Sequence, residues 1–109
     1  MNSRTLTLIS FIETHSQEVL PLSKLAMISG LSRGHVCHLF KTDIGLSPAR
    51  YVVTIKMREA GKLLSTSQMS VKQVMIQMGY TDKSLFVRHF RRVYSVCPSE
   101  YRYQASMAS

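Results

Sequence analysis

Two stretches of this chain carry the same punctuation about fifty residues apart, and that repeat limits what the chain can fold into. Gly30 corresponds to Gly79, Phe40 to Phe90, Lys41 to Arg91, Pro48 to Pro98 and Tyr51 to Tyr101. From Phe to Pro is 8 positions in both halves, and from Pro to Tyr is 3. From Gly to Phe is 10 in the first half and 11 in the second, so one extra residue sits near the second turn. A solenoid needs at least about three units to bury a continuous core. Two copies therefore describe two similar subdomains.

The pattern around that punctuation is helical, and no stretch alternates apolar and polar residues long enough to make a strand. A first helix is expected from about Arg4 to His15, with Leu8, Phe11 and Ile12 on one face. A second begins near Leu22, spaces Leu22, Leu25 and Ala26 at i, i+3, i+4, and ends at Gly30. Ser32 is placed to cap a third, whose inward face is Val36, Leu39 and Phe40. Pro48 suits the first turn of a long helix to about Ser65, with Val53, Met57, Ala60 and Leu64 inward. At about 1.5 Å per residue it spans on the order of 27 Å. Ser70 then caps a short helix with Val71, Val74, Met75 and Met78 inward, and Gly79 stops it. Thr81 or Asp82 starts the next, with Phe86, Phe90 and Val93 inward; Pro98 opens the last, and 104–109 reads as a frayed tail. The expected fold class is all-α, about seven helices, with a first subdomain over 1–47, a linker helix over 48–65 and a second subdomain over 66–109.

Each repeated unit is thus a short helix, a glycine-containing turn and a second helix, the helix-turn-helix pattern. The second helix of such a unit is thin enough to enter the major groove while the first holds its angle. Charge agrees. Lys+Arg 14 against Asp+Glu 6 gives a net charge of +8 on 109 residues, which favours a polyanionic partner. Opposite Val36, Leu39 and Phe40 lie Gly34, Cys37, His38 and Lys41; opposite Phe86, Phe90 and Val93 lie Ser84, Val87, Arg88 and Arg91. The two sets correspond position for position, and neither contains a carboxylate that would repel phosphates.

The run Gly79-Tyr80-Thr81-Asp82-Lys83-Ser84-Leu85-Phe86-Val87-Arg88-His89-Phe90-Arg91, then Pro98-Ser99-Glu100-Tyr101-Arg102, resembles the signature of the AraC/XylS family of bacterial transcription regulators. Phe40-Lys41, Gly45-Leu46-Ser47-Pro48-Ala49-Arg50-Tyr51, and Lys56, Ala60 and Leu63-Leu64 fit the same pattern, so the resemblance covers roughly residues 6–103. It implies a seven-helix DNA-binding unit whose two recognition helices, about 33–42 and 82–93, read successive major-groove segments. Three departures stand out. The family often has Ala where Met75 stands and Gly where Ser95 stands, which implies repacking under one turn and a change in the other. Its stand-alone members often carry a large aromatic and long polar residues where this chain has Gly34, Cys37 and His38, which implies that the second subdomain specifies sequence while the first anchors.

Arg88 leads the base-reading candidates. An Arg there can take guanine O6 and N7 with two hydrogen bonds, worth about 1–3 kcal/mol of discrimination; the alternative is a phosphate contact. Lys83 and Ser84 can reach either base or phosphate. Val87 can meet a thymine methyl or pack half-buried. On the first face His38, Cys37 and Gly34 are the base-facing positions. Lys41, Arg91, Arg92, Arg50, Lys56 and His35 are assigned to the DNA backbone, where contacts give affinity and register but little sequence choice.

Other classes fit less well. Cys37 between His35 and His38 has no second ligand pair at zinc-finger spacing, and no nucleophile motif accompanies it, so neither metal, cofactor nor enzyme is expected. No apolar run approaches the roughly 18 residues of a membrane span, and no signal-peptide core follows Met1. Two cysteines make no disulfide scaffold, which points to a soluble protein of a reducing compartment; the family resemblance implies a bacterial, cytoplasmic, nucleoid-associated one. Most of the methionines fall at core spacing. The expected partners are double-stranded DNA and RNA polymerase, with no membrane, no small-molecule ligand within this chain, and a monomer on the DNA. A stand-alone activator or the DNA-binding end of a longer protein both fit. The rival is a helical adaptor that acts mainly by binding a protein such as RNA polymerase.

Overall fold

The computed structural model describes residues 1–108, and they form seven helices and no strand: α1 (Ser3–Thr14), α2 (Leu22–Ser29), α3 (Arg33–Asp43), α4 (Pro48–Thr66), α5 (Val71–Gln77), α6 (Lys83–Tyr94) and α7 (Pro98–Ala108). The chain divides into two compact units, one over Met1–Ile55 and one from Lys56 onward, so that each half of α4 belongs to a different core.

In the first unit the core is Leu8 and Ile12 of α1, Leu20, Leu25 and Ala26 beside and within α2, Val36 and Phe40 of α3, and Val52 of α4. Leu8, Ile12, Val36 and Phe40 have no exposed surface. Val52, at 6% exposure, takes the buried place expected of Val53, which is only half-buried. The reason is that the two halves of α4 serve different cores, so one continuous stripe at helical spacing does not describe it. Tyr51 meets Phe40 edge-on, ring centroids 5.7 Å apart. Asn2 caps α1 by accepting from the Arg4 N–H at 2.8 Å, and the Asn2 N–H donates to Asp43 Oδ2 at 3.1 Å. Asp43 closes α3, where the helix dipole disfavours a carboxylate, yet it stands at the start of α1, where the dipole favours one.

The second unit is built on Met57, Ala60 and Leu64 of α4, Val74 and Met75 of α5, Met78, and Phe86 and Phe90 of α6. Met75 is accommodated as a core side chain, 7% exposed, whereas Met27 at 76% exposure lies outside the core that methionine spacing suggests. Rings extend the core: Phe90 packs on Tyr94 at 4.7 Å and on Tyr101 at 5.4 Å. Arg102 on α7 reaches back to the end of α4, its Nε donating to the Leu64 carbonyl at 3.0 Å and its Nη2 to the Met69 carbonyl. Residues 104–108 continue α7 instead of fraying; Gln104 donates to Glu100 Oε1 one turn earlier, and Ser109 lies outside the described residues.

The turns repeat in conformation as well as in sequence. Gly30 and Gly79 both adopt left-handed backbone, φ 71° and 83°, which L-residues with a Cβ resist. The next N–H in each case returns to the carbonyl five residues back, Leu31 to Ala26 at 3.2 Å and Tyr80 to Met75 at 3.1 Å. After α3 and after α6 the chain again turns left-handed, at Gly45 (φ 87°) and at Ser95 (φ 67°). The departure at Ser95 thus leaves the turn intact. A serine is held in the conformation that the first copy gives to glycine.

Two expectations follow. A non-glycine residue in left-handed backbone costs about 1–2 kcal/mol, partly offset by the extra unfolded-chain entropy of glycine. Ser95→Gly is therefore expected to stabilise the second unit by about 0.5–1 kcal/mol, read as a higher urea midpoint at unchanged m-value. The Thr5 hydroxyl and the Asn2 N–H beside Asp43 hold its carboxyl below the usual carboxylate range. A lowered folded value stabilises the fold above the unfolded carboxylate value near ~3.9 and loses that contribution as pH falls toward the folded value. Asp43→Asn is expected to remove this part of the acid dependence, measured by thermal melts between about pH 2 and pH 6.

Candidate nucleic-acid interface

Helices α3 and α6 each owe their outward face to what they bury. In α3, Val36, Leu39 and Phe40 point inward, and Gly34, His35, His38 and Lys41 are left exposed with Cys37 half-buried. Ser32 starts the helix by accepting from the His35 N–H at 3.1 Å. A Cβ on Gly34 would meet nothing within 4 Å, so the fold itself does not require glycine there. In α6, Phe86 and Phe90 have no exposed surface, and Lys83, Ser84, Arg88, Arg91 and Arg92 stand in solvent with Val87 half-buried. Asp82 starts this helix by accepting from the Leu85 N–H at 3.2 Å, which leaves its carboxylate engaged at the helix end.

The second face is brought together as expected. Lys83, Ser84, Val87, Arg88 and Arg91 line one open hollow. Its walls are the aliphatic stems and heads of three cations, a hydroxyl and a branched apolar side chain, with no carboxylate among them. Such a surface suits phosphates at its rim and base edges at its floor. A neighbouring hollow, lined by Val71, Lys72, Met75, Thr81 and Lys83, adds a second lysine beside the start of α6.

Arg50, in the first turn of α4, is exposed. Lys56 does not belong to the interface, contrary to its assignment to the DNA backbone. It is 7% exposed, and its Nζ donates to the Met78 carbonyl at 3.2 Å, placing a cation at the C-terminal end of α5. Its contact lies 22 residues away in sequence, so only the packing of α4 against the end of α5 reveals its structural use. Arg33, in contrast, is a candidate that the sequence reasoning missed. It is the exposed first residue of α3 and occupies the place of Lys83 in the second copy, so the fifty-residue offset already pointed to it.

A polar pair fastens α6 to the turn before it. The Tyr80 hydroxyl and His89 Nδ1 lie 2.7 Å apart, and Tyr80 also meets Phe86 edge-on at 5.3 Å. Burial pushes the Tyr80 hydroxyl up to about 12. Burial, then the charges of Arg92 and Arg88, hold His89 below the ordinary imidazole value. At neutral pH the hydroxyl therefore keeps its proton and the ring is neutral, and with the ring proton on Nε2 the hydroxyl donates to Nδ1. At the equivalent place before α7 Cys97 stands where Ser47 stands before α4; the Ser99 hydroxyl and the Glu100 N–H lower the thiol's affinity for its proton.

Among the described residues no group of three or more His, Cys, Asp or Glu side chains is placed to hold a metal ion. No helix among them is long and apolar enough to cross a membrane.

A family model described as a helix-turn-helix domain matches residues 25–104. The chain is 31% identical over 99 residues to the lactose operon transcription activator of Staphylococcus xylosus, covering 91% of this chain and 36% of that protein. It spans about a third of the length of the first curated relatives it matches. Among solved structures, a transcriptional regulator with an AraC-type DNA-binding domain from Chromobacterium violaceum superposes with a TM-score of 0.89 at 24% identity, over 97% of this chain and 95% of that one. The DNA-binding domain of the global transcriptional factor AdpA, solved in complex with a target DNA, gives a TM-score of 0.87 at 25% identity, over 94% and 93%. This family and fold are those of transcription regulators and not of enzymes. With its left-handed turns at Gly30 and Gly79 and its paired acid-free helix faces, the chain belongs to the AraC family of helix-turn-helix DNA-binding domains.

Proposed function

We propose that this chain binds double-stranded DNA sequence-specifically as a monomer and activates transcription, with α3 and α6 each inserted in a major groove and RNA polymerase as its protein partner. The observation that carries the reading is the hollow on α6. Five side chains that face one way include three cations and no acid, while the opposite face of the same helix holds two fully buried phenylalanines. The complex of AdpA with its target DNA supports the same use of this fold. The action of the lactose operon relative as an activator supports the direction of the effect. Such a protein works on the bacterial chromosome, in the cytoplasm and with the nucleoid.

In this reading Arg88 takes a guanine, with Lys83, Ser84 and Val87 around it. Lys41, Arg91, Arg92, Arg50 and His35 hold phosphates. Arg33 joins Lys83 at the equivalent end of α3. His38, Cys37 and Gly34 face bases with less reach than Arg88 and Lys83, so the second half-site carries most of the discrimination.

Two measurements test this. With a site selected from random duplexes, Arg88→Ala together with Lys83→Ala is expected to abolish the fixed footprint; unchanged occupancy overturns the reading. The logarithm of the binding constant is expected to fall steeply with the logarithm of salt, by roughly 0.9 per phosphate neutralised, and Arg92→Ala to flatten that slope by about one. Salt-insensitive, DNA-independent capture of RNA polymerase would instead favour an adaptor. Base-by-base substitution of the selected site is expected to give larger penalties under α6 than under α3, and equal penalties overturn the unequal readout.

A further inference from the structure

The two copies differ in how the turn holds the recognition helix. Where the second copy has Tyr80 just after its left-handed glycine, the first has Leu31; where the second has His89 just before its buried Phe90, the first has Leu39. Leu31 and Leu39 can form only an apolar contact, which has no preferred direction. Tyr80 and His89 form a hydrogen bond of 2.7 Å with the rings edge to face at 5.6 Å. A hydrogen bond is directional and weakens steeply when misaligned.

The backbone of Tyr80 is itself fixed, because its N–H returns to the Met75 carbonyl at 3.1 Å. The donor oxygen therefore comes from a place set by α5, and the acceptor nitrogen belongs to α6. His89 is next to Arg88 in the chain, and Arg91 and Arg92 follow one turn on. Rotation or axial slip of α6 that would displace the Arg88 guanidinium also stretches the Tyr80–His89 bond. Two-hydrogen-bond contact with guanine tolerates little such movement.

We propose that Tyr80 and His89 are a positioning pair for base reading, with the Tyr80 O–H donated to His89 Nδ1 setting the rotation of α6 so that Arg88 meets its base. This rests on the assignment of Arg88 as a base reader. The pair touches no base itself. It is peculiar to the second copy, and the copy that carries it is also the one with the long cationic base-facing side chains.

The tie separates from mere stability by its readout. Tyr80→Phe removes the hydroxyl and keeps the ring against Phe86. His89→Leu installs the residue of the first copy. His89→Asn keeps an acceptor near the place of Nδ1. Base preference at every position of a selected site is measured for each variant, with the salt slope and the melting temperature on the same samples. Arg88→Ala is expected to flatten preference at one position. Tyr80→Phe and His89→Leu are expected to weaken preference at that same position by roughly fivefold or more, with the salt slope and the other positions unchanged. His89→Asn is expected to restore most of it. If Arg88→Ala flattens a position that Tyr80→Phe and His89→Leu leave intact, the positioning role is overturned while base reading by Arg88 stands. If Arg88→Ala itself changes no preference, base reading by Arg88 fails, and the pair has nothing to position. A uniform loss of affinity across all positions that tracks a fallen melting temperature, without rescue by His89→Asn, overturns the proposal in favour of a purely structural bond.

Discussion

Phe40 in α3 and Phe86 with Phe90 in α6 have no exposed surface, and the orientation of both helices depends on that burial. Removing a Phe from a core costs on the order of 3–5 kcal/mol, a large part of the stability of a unit this small. With those rings fixed, helical geometry leaves no freedom over which residues face outward. The positions of Arg88, Lys83 and Lys41 in solvent are consequences of where the phenylalanines sit. The left-handed turns at Gly30 and Gly79 then fix how α3 and α6 leave the helices before them.

Much of this was legible because it depends on local chemistry. Ser32, Ser70 and Asp82 accept from backbone N–H groups three residues on, and Ser70 with Gln73 completes a reciprocal capping box. Helix starts fixed by such caps fall within a residue or so of their expected places. The errors arose where tertiary packing decides. Val52 replaces Val53 because α4 changes core partway along its length. Lys56 is buried because a carbonyl at the end of α5 awaits its ammonium group, a contact 22 residues away in sequence. The extension of α7 to Ala108 had no cap or stop signal to mark it. Arg33 is legible from the repeat alone, which relates it directly to Lys83.

The copies are alike in backbone and unlike in chemistry. The first uses Leu31, Leu39, Gly45 and Ser47 where the second uses Tyr80, His89, Ser95 and Cys97. Glycine after α3 and serine before α4 are the low-cost choices for a left-handed turn and a helix cap. The second copy departs from both and adds a directional polar tie. Sequence reading compares residues at matched places, and it detects such substitutions readily. It cannot tell that Ser95 accepts the strained conformation or that Tyr80 reaches His89, because both depend on side chains packed from elsewhere in the unit.

Arg102 bears on how the second unit comes apart. Its guanidinium spans the carbonyls of Leu64 and Met69, the first near the end of α4 and the second just beyond it. Peeling α7 away would strip both acceptors at once and uncover the edge-on and tilted contacts of Tyr101 with Phe90 and Tyr94. The C-terminal helix and the closing turn of α4 are accordingly expected to open together, as one foldon.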